Sequence, residues 1–346
     1  MIDHRLSPAL VLYGQGTILS VRMTATVVLC DSKTVDPADQ ADILEAADAT
    51  IEILEEKTEA AVTRAVRDAE AIIVDAQTPV TAAVLDSTSS LQVVGRAGIG
   101  VDNIDLDAAV ANDITVVNVP TYSLEEVSTH ALSLLLACVR AVPQYDRAVK
   151  AGRWDWQQEQ PLHRMTGRTL GLVGFGNIPR RLASKLRTFG VEVIATDPYV
   201  SEARMRDYGV EKVAFETLLD RVEYCSIHVP LYEGTRHLFS AEEFERLSEE
   251  CIVVNTSRGG VIDQAALVEA LSTGEIARAG LDVLESEPPA ADSPLLNRDD
   301  VVLTPHAGWY SEESQKDLSK GVAEGVAAVL RGEQPDNAVT SDTVWS

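Results

Sequence analysis

No apolar run in the sequence reaches the roughly 18 to 20 residues that a helix spanning a bilayer requires, so no membrane span is expected. The first 22 residues lack a basic start, a clean apolar stretch and a small-residue cleavage site. A secretory leader is therefore not expected, and a cytoplasmic location is. Cysteine is scarce. Cys30, Cys138, Cys225 and Cys251 form no C-x-x-C pair, and three of them lie in apolar runs. Free buried thiols in a reducing compartment follow from that. Lysine is scarcer still: seven of the 29 basic residues, set against 54 acidic ones, for a net charge of −25. Such a surface repels nucleic acid and anionic membranes, so neither is expected as a partner. With aspartate spread along the whole chain, we read it as an acidic surface of the halophilic kind, made tolerable by salt screening. No internal repeat, low-complexity segment or metal-binding set is assigned.

What remains is ordinary for a globular protein: 45% apolar and 24% charged residues over a chain of 346, enough for two domains. Ala25–Cys30 reads as a first strand. The 22 residues before Met23 show neither period nor caps, so either they form a disordered extension or Met23 is the true start. The spacing then predicts helix over Ala38–Ala47, strand over Ala49–Ile53, helix over Glu59–Arg67, and strands over Ala71–Val74 and Leu91–Arg96. A second series begins near Thr121 with a long helix over Glu125–Lys150, which Pro143 should end or kink. Apolar strand candidates follow at Leu170–Val173, Val191–Ala195, Cys225–His228, Cys251–Asn255, Ala279–Val283 and Val301–Leu303. Alternating strands and helices argue for parallel sheets with crossover helices. We therefore expect an α/β protein of two doubly wound, Rossmann-like domains: residues 23–120 with 310–340, flavodoxin-like, and residues 121–309.

Leu170–Val173 runs straight into Gly174-Phe175-Gly176-Asn177-Ile178-Pro179, a G-x-G-x-x-P string. The first glycine allows the tight turn. The second lets backbone approach a pyrophosphate, held by the free N–H groups of the next helix. Proline can stand in the third place because it falls in the first helical turn, where no intrahelical acceptor is lost. Any strand, glycine turn and helix would look similar. The next strand adds to the case by ending at Asp197, 21 residues after Gly176, where a carboxylate fits the ribose hydroxyls of NAD and repels a 2′-phosphate. The plainer reading of Asp197 is a turn residue before Pro198.

Three polar residues stand beyond late strands, where open α/β sheets bind ligands. Arg258 follows Val253-Val254-Asn255-Thr256-Ser257, Glu287 precedes Pro288, and His306 follows Thr304-Pro305. Hydride transfer to a 2-oxo acid needs a cation for the carboxylate and carbonyl, a proton donor near the carbonyl oxygen, and an acid that orients and tunes that donor. Arginine, histidine and glutamate suit those roles in that order. Singly, each could be a surface or loop residue.

The strings around them resemble the D-isomer-specific 2-hydroxyacid dehydrogenase family: Val254-Asn255-Thr256-Ser257-Arg258-Gly259-Gly260, Asp282 through Glu287-Pro288, and Thr304-Pro305-His306. Gly95 through Asp105 resembles the family's substrate-carboxylate loop, and His228-Val229-Pro230-Leu231 with Thr235-Arg236 its loop under the cofactor. The likeness runs from about Val27 to about Gly332. It implies Arg258 as substrate binder, His306 as acid/base and Glu287 as its partner. It places Gly174, Phe175, Gly176, Asn177, Ile178, Asp197, His228, Val229, Pro230, Thr235, Thr256, Ser257, Asp282 and Gly308 around NAD. Ile99, Gly100, Asp75 and Trp309 would face the substrate. It further implies a homodimer, with the long helix in the contact, acting on a small 2-oxo or D-2-hydroxy acid.

Glu285-Ser286-Glu287-Pro288 and His306 through Glu312 look most like the C-terminal-binding-protein subgroup, which includes transcriptional corepressors. An NAD(H)-responsive interaction module is thus the rival reading, beside a phosphoglycerate dehydrogenase or a hydrolase with tightly bound NAD. Pro179 departs from the family pattern. So does Asp75, which stands where phosphoglycerate dehydrogenases carry a phosphate-holding arginine; an acid there disfavours a doubly charged phosphate.

Overall fold

The computed structural model describes residues 24–339, together with the backbone of a short antiparallel pair, Leu10–Val11 against Leu19–Ser20. The expectation for residues 1–22 otherwise lies outside the described residues. Residues 24–122 with 315–339 form one compact unit and residues 123–314 another.

The first unit has five parallel strands: β1 (Ala25–Leu29), β2 (Ala49–Ile53), β3 (Ala71–Val74), β4 (Val93–Arg96) and β5 (Thr115–Val117). They stand in the order β2-β1-β3-β4-β5. Strand β3 is Ala-Ile-Ile-Val and buried throughout, as a strand covered on both faces must be. Helices α1 (Pro37–Glu45), α2 (Glu59–Ala65), α3 (Ala82–Leu85) and α4 (Leu106–Ala111) make the crossovers that parallel pairing demands. Each starts at a side-chain cap, from Asp36, Thr58, Thr81 and Asp105 in turn, worth about 1 kcal/mol apiece. Val28, Val62, Ile72, Val84, Val94 and Val116 join in one apolar core.

The second unit opens with α5 (Leu124–Arg140) and α6 (Val142–Lys150). The long helix ends before Pro143 as expected: the break falls at Ala141, whose φ is +48, and Pro143 stands in the first turn of the second piece. Seven parallel strands follow: β6 (Thr169–Val173), β7 (Glu192–Thr196), β8 (Glu211–Lys212), β9 (Tyr224–Ile227), β10 (Ile252–Asn255), β11 (Arg278–Leu281) and β12 (Val301–Leu303). Their order is β8-β7-β6-β9-β10-β11-β12. The order reverses between β6 and β9, the place where doubly wound sheets bind ligands beyond their carboxyl ends. The intervening helices are α7 (Asn177–Leu186), α8 (Glu202–Arg206), α9 (Phe215–Arg221), α10 (Ala241–Arg246) and α11 (Gln264–Thr273). Strand β10 shows how the sheet is buried on both faces. Ile252 and Val254 turn to the face covered by Leu134, Leu135 and Cys138 of α5, while Val253 turns to the other, among Phe239, Phe244 and Leu267. A side chain buried as fully as Val253 contributes roughly 1.5 to 3 kcal/mol.

The last helix among the described residues is α12 (Glu312–Leu330). All four cysteines are free and buried. Burial pushes the Cys138 and Cys225 thiols up to about 12. Among the described residues, no helix is long and apolar enough to cross a membrane.

Candidate active site

The glycine turn sits at the reversal point of the second sheet. Gly174 has a φ of +92, and a Cβ there would lie 3.0 Å from the backbone carbonyl of His228 at the end of β9. Only glycine fits both the dihedral and the gap. Around Gly176, by contrast, a Cβ would meet nothing within 4 Å. That open face lies at the N-terminus of α7, whose first turn holds Pro179 without breaking the helix. Asp197 does more than the sequence suggests. Its Oδ2 accepts a hydrogen bond from the Phe175 amide at 2.8 Å, and its Oδ1 one from Tyr199 at 2.8 Å. The carboxylate thus ties the glycine turn to the end of β7 and keeps further lone pairs for hydroxyl donors. His228 is half-buried beside Ser226 Oγ at 2.8 Å, and burial pushes its imidazole down to about 3, so it is neutral at ordinary pH. The Thr256 hydroxyl is buried with no partner among the described residues. An orphaned hydroxyl beyond β10 and an open glycine face at the switch point together fit a dinucleotide.

Arg258 stands on a loop that Asn255 holds from the end of β10. Asn255 Oδ1 accepts from the Ser257 amide (3.0 Å) and hydroxyl (2.8 Å), and its Nδ2 donates to the Arg258 carbonyl at 2.9 Å. The following Gly259 admits no side chain: a Cβ would come 1.9 Å from the Leu284 carbonyl carbon. Any larger residue there would displace the Arg258 loop or the segment carrying Glu287.

Glu287 and His306 meet. His306 Nδ1 lies 2.7 Å from Glu287 Oε2, while Glu287 Oε1 accepts from the Leu284 amide at 3.0 Å. Burial alone would raise the Glu287 carboxyl. The hydrogen bond and charge of His306, the Leu284 amide and the charge of Arg258 outweigh burial and hold it below its ordinary value of 4.5. A carboxylate only accepts, so Nδ1 carries the proton and Nε2 is the nitrogen turned to other chemistry.

His306 has a φ of +53, a left-handed conformation that costs about 1 to 3 kcal/mol outside glycine and persists where surroundings enforce it. The enforcement comes from Asp282. Its backbone carbonyl accepts from the His306 amide at 2.8 Å. Its Oδ1 accepts from the Thr304 hydroxyl (2.6 Å) and the Ala307 amide (2.9 Å), and its Oδ2 from the Gly308 amide (2.8 Å). Burial would raise the Asp282 carboxyl, but these bonds and one from His130 hold it below its usual value. Trp309 packs edge-on to Tyr310, with ring centroids 5.6 Å apart.

In the first unit, the loop after β4 has its carbonyls occupied: Gly98 O by the Val119 amide at 2.9 Å and Ile99 O by Asn118 Nδ2 at 2.7 Å. Asp75, beyond β3, is paired. Lys57 Nζ lies 2.6 Å from Asp75 Oδ2 and 2.8 Å from Asp31 Oδ2. Asp75 Oδ1 accepts from the Thr78 hydroxyl at 2.6 Å. Burial opposes both charges, yet the pairing holds Asp31 down to about 2 and raises Lys57. Sequence reasoning missed Lys57 and His130, since neither stands in a motif.

Residues 132–308 match the family model described as D-isomer specific 2-hydroxyacid dehydrogenase, NAD binding domain. The D-3-phosphoglycerate dehydrogenase of Archaeoglobus fulgidus is 39% identical over 275 residues, 80% of this chain and 52% of that protein. The glyoxylate reductase of Korarchaeum cryptofilum is 38% identical over 282 residues, 81% of this chain and 85% of that protein. The chain therefore spans about half the length of the phosphoglycerate dehydrogenases it matches. Among solved structures, a glyoxylate reductase from Paecilomyes thermophila superposes with a TM-score of 0.83 at 26% identity, covering 92% of this chain and 99% of that one. A D-lactate dehydrogenase from Aquifex aeolicus, complexed with NAD and lactic acid, gives 0.79 at 26% identity over 89% of this chain and 96% of that one.

Proposed function

Because this chain belongs to the D-isomer-specific 2-hydroxyacid dehydrogenase family, we propose that it interconverts a small 2-oxo acid and the D-2-hydroxy acid with NAD(H) as redox partner. The observation that carries this reading is the His306 Nδ1–Glu287 Oε2 contact of 2.7 Å. It leaves His306 Nε2 as the proton donor to a carbonyl oxygen in reduction, and as the acceptor in oxidation. Bound NADH supplies the hydride. Arg258 holds the substrate carboxylate and stabilises the charge that develops on the carbonyl oxygen. Gly174, Phe175, Gly176, Asn177, Ile178 and Asp197 hold the dinucleotide, Thr256 gives it the orphaned hydroxyl, and Asp197 excludes a 2′-phosphate. The roles of Ile99 and Gly100 as carboxylate donors, and of Trp309 beside the substrate, rest on the sequence resemblance.

Within that class we favour an acid without a phosphate ester. Lys57, Asp31 and Asp75 sum to −1, one ammonium against two carboxylates, so the cation at that edge is already spoken for. A doubly charged phosphate gains nothing there and meets net repulsion. We extend the proposal to a homodimer. Val142 and Val149 on α6, and Trp154 and Trp156 after it, are exposed apolar surface of the kind a second copy covers.

The test is NADH oxidation on a panel of glyoxylate, hydroxypyruvate, phenylpyruvate and 3-phosphohydroxypyruvate, with NAD reduction by D- and L-2-hydroxy acids in reverse. Turnover on an unphosphorylated acid, with the D isomer alone oxidised, is expected. No turnover on any acid would favour the interaction-module reading instead.

A further inference from the structure

We propose that His130, on α5, is a positioning residue for His306, acting through Thr304 and Asp282. The inference rests on the reading of His306 as the proton donor and goes beyond it. His130 Nε2 lies 2.9 Å from Thr304 Oγ1 and 3.3 Å from Asp282 Oδ1. The Thr304 hydroxyl spends its single proton on Asp282 Oδ1 at 2.6 Å, so toward His130 it can only accept. Nε2 of His130 therefore carries a proton, and the polar chain runs one way: His130 to Thr304 to Asp282.

Asp282 is 3% exposed, and its carboxylate must be saturated by donors. The Ala307 and Gly308 amides come from the segment that carries His306, so the angle of the carboxylate sets the angle of that segment. Thr304 and His130 set the angle of the carboxylate. Of these donors, His130 alone sits on a helix. Leu134, Leu135 and Cys138 of that helix are buried in the core against Leu170, Leu172 and Val254. His130 thus ties a strained loop, with His306 at φ +53, to a rigid element. Packing adds to this restraint, because the His130 ring lies against the buried Gly308, where a Cβ would come 3.2 Å from its Cδ2. On that side His130, Ala307 and Gly308 face a cavity of about 310 Å³ lined also by Glu125, Glu126, Thr129, Ser133 and Tyr310. Beside that cavity the loop is held by the polar tether together with the His130 ring, and losing the tether leaves the left-handed turn freer to relax.

The experiment compares His130→Leu, His130→Gln, Thr304→Val and the double variant His130→Leu/Thr304→Val with wild type. Removing a hydrogen bond to a buried charged group should lower kcat in His130→Leu by about 10- to 100-fold. NADH affinity should stay within about twofold, because the glycine turn at residues 174–177 and Asp197 are untouched. His130→Gln, which keeps a donor, should recover most of the loss. The double variant should be no slower than the slower single variant, since both lie on one chain of bonds. Amide hydrogen exchange in the absence of substrate should quicken at Ala307 and Gly308 in His130→Leu and return toward wild type in His130→Gln. The proposal is overturned by an unchanged kcat in His130→Leu, by a glutamine no better than leucine, or by unchanged exchange at Ala307 and Gly308. If wild type turned over no 2-oxo acid, the dehydrogenase reading would fail, and the exchange comparison would still decide the tether.

Discussion

His306 Nδ1 and Glu287 Oε2, 2.7 Å apart, form a pair in which a partly buried carboxylate fixes the tautomer of a histidine held in a left-handed conformation. Each half constrains the other. Glu287 is kept ionised mainly by that imidazole, and the imidazole is kept facing outward through Nε2 by Glu287.

The pair contributes stability with a defined pH dependence. The Glu287 carboxyl lies below its ordinary 4.5 in the folded state, so its contribution is fully present above that value and is lost as pH falls through the folded value. Glu287→Gln should cost about 1 to 3 kcal/mol near neutrality, the price of a hydrogen bond to a charged group. The melting difference between wild type and Glu287→Gln should shrink as pH falls below 4.5. Melting curves across that range check it; a difference that grows toward acid contradicts it.

Asp197 should govern both cofactor choice and the glycine turn. Wild type should prefer NADH to NADPH in kcat/KM. Asp197→Ala should narrow that preference by tenfold or so, since the carboxylate is what repels a 2′-phosphate. It should also cost about 1 kcal/mol, because the Phe175 amide loses its acceptor. Steady-state kinetics with both cofactors and thermal melting decide the two parts separately.

The Lys57 cluster makes a substrate prediction. Asp75→Asn removes one of the two carboxylates that share Lys57. It should improve kcat/KM for 3-phosphohydroxypyruvate relative to glyoxylate by about fivefold, the equivalent of roughly 1 kcal/mol of screened Coulomb interaction. An unchanged ratio would remove Asp75 from substrate selection.

Net charge of −25 should make the fold salt-dependent. Self-repulsion weakens with screening, so the melting temperature should rise by about 5 °C or more from dilute buffer to molar KCl. A flat or falling curve refutes the high-salt reading.

Much of this was legible in the sequence because the relevant signals are local. Gly174 to Pro179 followed by Asp197 marks a strand, turn, helix and strand in one short stretch, and the apolar runs ending at Asn255, Val283 and Leu303 place three loops at the carboxyl ends of one sheet. Short elements escaped. Helices Ala82–Leu85 and Leu106–Ala111 are too brief for a helical period to show, although Thr81 and Asp105, both capping, were available as signals. The break in the long helix was legible from Pro143, which cannot continue a helix; only its placement two residues earlier, at the left-handed Ala141, was not. His130 and Lys57 were invisible for a different reason. His130 meets Thr304 across 174 residues of sequence, and Lys57 reaches Asp31 across 26. No periodicity encodes such pairings; the order of strands in each sheet creates them.

The central claim is that His306 donates the proton. The direct measurement is NADH oxidation by wild type and His306→Ala on whichever 2-oxo acid the wild type reduces fastest, with NADH affinity measured in parallel. A fall in kcat of about 10² to 10⁴, with NADH affinity nearly unchanged, is the result expected for a lost general acid. Turnover that survives in His306→Ala at the wild-type rate would contradict the account.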